Sequence, residues 1–246
     1  MSTMASFLLE TEREDISNEI TRLLDTINIK SILEKSIKEN CALSQYKLAR
    51  YYMYEKLNDK QAVYWYKKSA IQGYSEAQYC VANCYALGLG VVSNFHEALY
   101  WCIKAAIKNH KIAQYQLGRL YEEGKTGAVN IPNAILWYQK SVDQGVREAQ
   151  YHLGKFYEEG KMGLPNMKKA LELYKLSAAQ EYDIAQFRLG QYYGSIEDID
   201  NALKFYKLSA DQGNSEAQYI LGLIYTKLAD LEMENKEKNL SIIVSL

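Results

Sequence analysis

The sequence predicts an all-α solenoid of about five and a half helix-turn-helix repeats, with helical segments at its N- and C-terminal ends. Two observations predict this fold class. The dipeptide Ala-Gln recurs at regular spacing, and an alanine-marked second helix follows each copy except the last. Self-similarity with a period of roughly 20 to 50 residues is the sequence signature of repeat architectures. The 246 residues, 48% of them hydrophobic, can supply the apolar faces of a large fold.

The first helix of each repeat is defined by positions counted from its Ala-Gln marker. The markers lie 36, 36, 36 and 32 residues apart, and Ser44-Gln45 is a degenerate copy 33 residues earlier. An apolar residue at +4, a small residue at +5 and a tyrosine at +8 share one helical face with the marker. The markers are Ala77, Ala113, Ala149, Ala185 and Ala217, and the tyrosines are Tyr52, Tyr85, Tyr121, Tyr157, Tyr193 and Tyr225.

The second helix of each repeat has its own marker alanine, with a bulky residue three positions later. The markers are Ala62, Ala98, Ala134, Ala170 and Ala202, followed by Trp65, Trp101, Trp137, Leu173 and Phe205. Residues that tolerate a left-handed helix cap follow most of these helices, namely Gly73, Asn109, Gly145 and Gly213. Glu181 departs from this rule.

Glycines inside the predicted first helices need a structural reason. Gly118, Gly154, Gly190 and Gly222 occupy the +5 position, where glycine costs about 1 kcal/mol relative to alanine. We expect the compensation to be close approach of the two helices, with an aromatic side chain of the second helix filling the space that the missing side chain leaves.

Taken together, the recurring pattern resembles the Sel1-like repeat, a relative of the tetratricopeptide repeat. The pattern is A-Q-Y-x-L-G-x-x-Y-x-x-G followed by A-x-x-W-Y-x-K-A-A-x-x-G. The resemblance covers about Ser44 to Tyr225, and Gly88-Leu-Gly90-Val91 fits the loop of the family. It implies a right-handed superhelix and a non-catalytic scaffold or adaptor. The resemblance also implies that a partner peptide or helix binds on the concave face.

The sequence divides into three predicted regions. Residues 1–40 form an N-terminal helical cap, 41–225 the repeat array, and 226–246 a C-terminal helical extension with an apolar tail. The tail, Ile242-Ile-Val-Ser-Leu246, docks either on the last helix of its own array or on another protein.

Several motifs suggest chemistry, but their context argues against catalysis. Gly124-Lys-Thr resembles a phosphate-binding loop, yet the same stretch recurs 36 residues later with Met162 in place of the hydroxyl. Glu122-Glu123 and Glu158-Glu159 also recur, so we expect solvated acids at a helix end. Cys80, Cys84 and Cys102 are too few for a typical zinc site, and no histidine accompanies a nucleophile. We predict no catalytic residue, no metal site and no cofactor.

The predicted partner-binding residues lie at +3 and +6 of the first helices, one turn apart. They form a mostly basic ladder in a chain of net charge −1, which suits an acidic peptide or helix, although a solvated face is the alternative. The residues are Lys47, Arg50, Asn83, Gln116, Arg119, His152, Lys155, Arg188 and Gln191.

The expected partner is therefore another protein, with no nucleic acid, because Lys and Arg do not exceed Asp and Glu. No membrane insertion is expected, and the predicted location is the cytoplasm, or a host cell after export without a cleavable signal. Three alternatives remain open. They are a bacterial effector or virulence-associated protein that binds a host protein, a hydrolase or penicillin-binding repeat protein with no evident nucleophile, and a homo-oligomer formed through the C-terminal tail.

Overall fold

The structure, a computed structural model, describes residues 31–33, 35, 36 and 38–244. From residue 42 onward these residues form eleven α-helices and no strand: α1 (Ala42–Tyr54), α2 (Asp59–Ile71), α3 (Ser75–Leu87), α4 (Phe95–Ile107), α5 (Lys111–Glu122), α6 (Ile131–Val142), α7 (Arg147–Glu158), α8 (Met167–Ala179), α9 (Asp183–Ser195), α10 (Ile199–Asp211) and α11 (Ser215–Val244). Consecutive helices pack on one another, as α1 on α2, α3 on α4, α7 on α8 and α9 on α10. The predicted array of helical hairpins is confirmed.

The helices fall into two compact units, Met1–Leu117 and Gly118–Leu246, with the division inside α5. Most of the predicted N-terminal cap lies outside the described residues. The predicted boundary between 225 and 226 falls within α11, which continues without interruption to Val244. Residues 245 and 246 of the apolar tail are outside the described part, and the right-handed superhelical course stays a prediction.

Three glycines of the first helices sit directly against buried tyrosines. A Cβ added at Gly154 would lie 2.8 Å from Cε1 of Tyr174, and one at Gly190 would lie 2.8 Å from Cδ1 of Tyr206. Gly118 meets Tyr138 in the same way, at 2.7 Å. The expected close approach is confirmed at these positions, and the aromatic is the tyrosine that follows the predicted bulky position by one residue. At Gly222 an added Cβ would meet nothing within 4 Å.

The turn after each second helix uses a left-handed residue even where glycine is missing. Asn109 has a φ of 65° and Glu181 a φ of 58°, close to the 77° of Gly145. A side chain in this conformation costs about 1 to 2 kcal/mol. At Glu181 the Arg147 guanidinium donates hydrogen bonds to the carbonyls of Gln180 and Glu181, at 2.8 and 3.3 Å, which offsets part of this cost.

Consecutive repeats are joined by the glutamine of the Ala-Gln marker. Its Nε2 donates to a backbone carbonyl at the end of the preceding second helix, at 3.0 to 3.2 Å, as Gln78 to Ala70, Gln114 to Ala106, Gln186 to Ala178 and Gln218 to Ala210. Its Oε1 accepts from a second glutamine that ends the second helix of its own repeat, as Gln72 to Gln45, Gln180 to Gln150 and Gln212 to Gln186. The marker therefore recurs because it links three helices.

A serine on the second helix forms another hydrogen bond within the same hairpins. The hydroxyls of Ser69, Ser177 and Ser209 donate to the carbonyl of the first residue of the first helix, at 2.7 to 2.8 Å. Each of these serines is fully buried. Because a buried hydroxyl without a partner is costly, this bond fixes how the two helices of a hairpin meet.

Gly154→Ala should destabilise the protein by about 1 to 3 kcal/mol, because the new methyl group overlaps the buried Tyr174 ring. Gly222→Ala should instead raise the free energy of unfolding by up to about 1 kcal/mol, since its position is open and helical. Urea denaturation of both variants measures the difference. Two variants of equal stability would contradict the packing explanation.

Candidate functional site

The predicted binding residues all lie on first helices, but they belong to two separate units. The first unit holds Lys47 and Arg50 on α1, Asn83 on α3 and Gln116 on α5. The second unit holds the rest, which are Arg119 on α5, His152 and Lys155 on α7, and Arg188 and Gln191 on α9.

In the first unit the two cations of α1 are exposed. Lys47 and Arg50 form no ion pair with an acidic residue in the described part of the chain, and the Arg50 guanidinium lies 5.9 Å from the centroid of the Tyr54 ring. Asn83 and Gln116 are half-buried. The uncompensated positive charge of this unit's first-helix face therefore lies on α1.

In the second unit the basic side chains are paired with glutamates. Arg119 Nη2 lies 2.6 Å from Glu123 Oε1 on the next turn, and Lys155 Nζ lies 3.7 Å from the corresponding Glu159. Arg188 binds both carboxylate oxygens of Glu158. The ladder cations of this unit are therefore paired with glutamates, and their role in binding a partner stays a prediction.

Two of the four paired acids are structural. Glu122 accepts hydrogen bonds from the Tyr138 hydroxyl at 2.6 Å and lies 3.2 Å from His152 Nδ1. Glu158 accepts from the Tyr174 hydroxyl at 2.7 Å. The expectation of solvated acids is wrong for both, since their side chains are only 17% exposed. Each accepts a hydrogen bond from the tyrosine whose ring fills a glycine position of the first helix.

These contacts keep Glu122 ionised. Burial raises the pKa of this carboxyl, but the hydrogen bonds from His152 and Tyr138 and the charges of His152 and Lys155 outweigh burial and lower the pKa to about 2. In the next repeat, burial and then the bond to Glu158 raise the pKa of Tyr174 above its ordinary value. A carboxylate held in this form cannot donate a proton near neutral pH, so it does not resemble the raised-pKa acid of a catalytic pair.

Two cavities open on the first-helix face of the second unit, and Gln191 lines both. The smaller, of about 240 Å³, is lined by Glu158, Tyr174, Arg188 and Tyr192 among others. The larger, of about 450 Å³, is lined by Phe187, Gln191, Ser215, Glu216, Tyr219 and Ile220. Both combine aromatic walls with polar and charged side chains.

The cysteines singled out above are packing residues. Cys84 and Cys102 are buried, and the Cys102 thiol donates to the Ala113 carbonyl at 3.6 Å. Burial raises the pKa of Cys80 to about 11 and those of Cys84 and Cys102 to about 12, so all three are protonated thiols near neutral pH. The described residues contain no group of three histidine, cysteine or acidic side chains that could hold a metal ion.

Stacked helical hairpins joined by recurrent side-chain bonds define a helical repeat protein. The family model of the Sel1 repeat matches residues 42–74, 75–110, 111–146, 147–182, 183–214 and 215–232. The chain therefore belongs to the Sel1 repeat family. Sel1 and tetratricopeptide-like repeats generally mediate protein–protein interactions and typically form non-catalytic scaffolds.

Solved structures of the same family resemble the chain. It is similar to a Sel1 repeat protein from Oxalobacter formigenes, with 28% identity and a TM-score of 0.71 over 85% of this chain and 89% of that one. It is also similar to a protective antigen of uropathogenic Escherichia coli, with 30% identity and a TM-score of 0.71 over 77% of this chain. The match spans only 42% of that antigen.

The comparison with curated proteins found no matching sequence. Among the described residues, no helix combines the length and the apolar character that crossing a membrane requires.

Glu122→Gln should destabilise the protein by about 2 kcal/mol at pH 7, and the difference from wild type should shrink as the pH falls from about 4.5 to 2. The sign follows from a folded-state pKa of about 2, below the ordinary 4.5. The stabilisation is complete above the unfolded-state pKa and disappears once the folded protein is protonated. Chemical denaturation at several pH values measures it.

Glu123→Gln is the matched control, because Glu123 is exposed and forms surface ion pairs that contribute little to stability. A difference between wild type and Glu122→Gln that stays constant from pH 7 to pH 3 would contradict the assignment.

Proposed function

We propose that the protein is a non-catalytic adaptor that binds a partner protein through the faces of its first helices. The observation that carries this proposal is the pair of cavities around Gln191. In a tandem array, the residues that vary between repeats while the packing residues recur are those available for a partner. The positions of Arg188 and Gln191 vary in this way, whereas the small and tyrosine positions of the same helix do not.

In the second unit, the geometry favours a partner segment that lies across α9 and α11. Tyr219 is 67% exposed and borders the larger cavity together with Phe187 and Ile220. An aromatic or aliphatic side chain of the partner can pack against these three side chains. Gln191 lines both cavities, and because its Oε1 accepts from Arg188 Nη1 at 2.9 Å, its amide offers the Nε2 donor to a partner. Recognition here depends on shape and hydrogen bonding.

Charge contributes mainly in the first unit. An acidic partner would have to compete with Glu158 for Arg188 and with Glu123 for Arg119, so these cations add little net attraction. Lys47 and Arg50 have no such competitor among the described residues. We therefore assign the preference for an acidic peptide or helix to the face of α1, and the apolar anchor to α9 and α11.

The double variant Gln191→Glu with Tyr219→Glu should lose at least tenfold in affinity for the partner, because it removes an anchor contact and places charge in the cavity. Affinity capture with the full chain as bait identifies the partner, and titration of the purified partner measures the affinity. Both substituted residues are exposed, so the hairpin cores remain intact.

The matched control is Leu176→Glu with Leu208→Glu, which adds the same charge at exposed apolar positions on the second helices α8 and α10. Its affinity should equal that of wild type. If the variant Gln191→Glu with Tyr219→Glu bound the partner as tightly as wild type, the binding site would not lie on this face.

A further inference from the structure

The second repeat departs from the others at three positions of its second helix. Where the other repeats place a buried tyrosine, a buried serine and the glutamine that ends the helix, α4 and its cap have Cys102, Ala105 and Lys108. The residues replaced are those that tie a second helix to its first helix elsewhere. The hairpin of α3 and α4 therefore lacks both polar bonds of the standard repeat.

Gln78 is left with an unpartnered acceptor as a result. Its side chain is buried and its Nε2 donates to the Ala70 carbonyl, which sets the orientation of the amide. Its Oε1 is fully buried and has no hydrogen-bond partner among the described residues. In three other repeats the corresponding oxygen accepts from the helix-ending glutamine, the position that Lys108 occupies here.

A cavity of about 470 Å³ opens beside this amide, wholly within the first unit. Gln78 lines it together with Ile71, Ile103, Ile107, Lys104 and Lys108. Ile71 and Ile107 are 75% and 67% exposed, and no acidic side chain lines the cavity. It therefore combines apolar walls, two lysines and one buried acceptor without a donor.

We propose that this cavity is a second docking site, for an extended partner segment whose apolar side chains are flanked by acidic ones. The apolar side chains contact the isoleucines, and the acidic groups pair with Lys104 and Lys108. A backbone N–H of the segment donates to Gln78 Oε1. Because Oε1 is fully buried, the donor reaches it only when a lining side chain shifts, and the long, flexible Lys108 side chain lines the same cavity. Apart from Gln78 at the start of α3, the lining residues lie on the second helices α2 and α4 or at their ends, and none of them lines the cavities around Gln191.

Lys108→Gln is the decisive variant, because it restores the glutamine that donates to the marker-glutamine oxygen in three other repeats. The probe is a fluorescein-labelled hexapeptide, Glu-Leu-Ile-Asp-Leu-Glu, titrated with the full chain and followed by fluorescence anisotropy. The variant should bind the probe at least tenfold more weakly than wild type and should unfold at a higher temperature. Because Lys108 lies one turn from Lys104, loss of either charge relieves the same like-charge repulsion. A rise larger than that of a Lys104→Gln variant therefore reports the restored hydrogen bond.

Two controls separate the contributions. Lys104→Gln removes one charge at a position that does not bond the marker glutamine in the other repeats, so it should weaken binding and raise the unfolding temperature less than Lys108→Gln does. The variant Gln191→Glu with Tyr219→Glu should bind the probe as wild type does, which distinguishes this site from the first-helix surface.

Three results would overturn the proposal. They are no binding of the probe by wild type at millimolar concentration, equal binding of a peptide with lysines in place of the acidic residues, and unchanged binding by Lys108→Gln. Loss of probe binding in the Gln191 and Tyr219 variant would also overturn it, because the probe would then occupy the other surface.

Discussion

In most repeats, a buried side-chain amide fixes how one helix meets its neighbours. Leaving such a group without partners costs about 1 to 3 kcal/mol, which favours marker glutamines that meet donors and acceptors at fixed places. Gln78, with its unpartnered oxygen, is an exception. Gln186 illustrates the result, since it donates to the Ala178 carbonyl of the preceding repeat and accepts from Gln212 of its own. The hydrophobic faces supply most of the driving force, whereas the amide fixes the register in which those faces meet.

The hairpins and the close approach at the helical glycines were predictable because both follow from local spacing. The identity of the aromatic that fills the gap was less so. Trp137 and Tyr138 are neighbours on α6, and the spacing of apolar residues places both near the same face. The structure buries Tyr138 completely, with its hydroxyl donating to Glu122, and leaves Trp137 half-buried.

The positions of the candidate binding residues were predictable from the repeating register. The ion pairs that their side chains form with a neighbouring repeat were not. Glu158 lies 30 residues before Arg188, the same separation as Glu122 from His152. Patterns along one helix reveal partners three or four residues apart and miss those on the next repeat. An acidic residue at +9 with a basic residue or histidine at +3 of the following repeat is the signal that could have identified these pairs.

Each marker-glutamine bond described above joins two residues of one repeat, or joins a residue to the repeat just before it. None of these bonds depends on the number of repeats in the chain. The fifth repeat is four residues shorter than the fourth, yet the bond between Gln212 and Gln186 is retained. Variation in length is absorbed by the turn inside the hairpin. A gene encoding such a chain can therefore gain or lose whole units by duplication or deletion, and each new junction is already complementary.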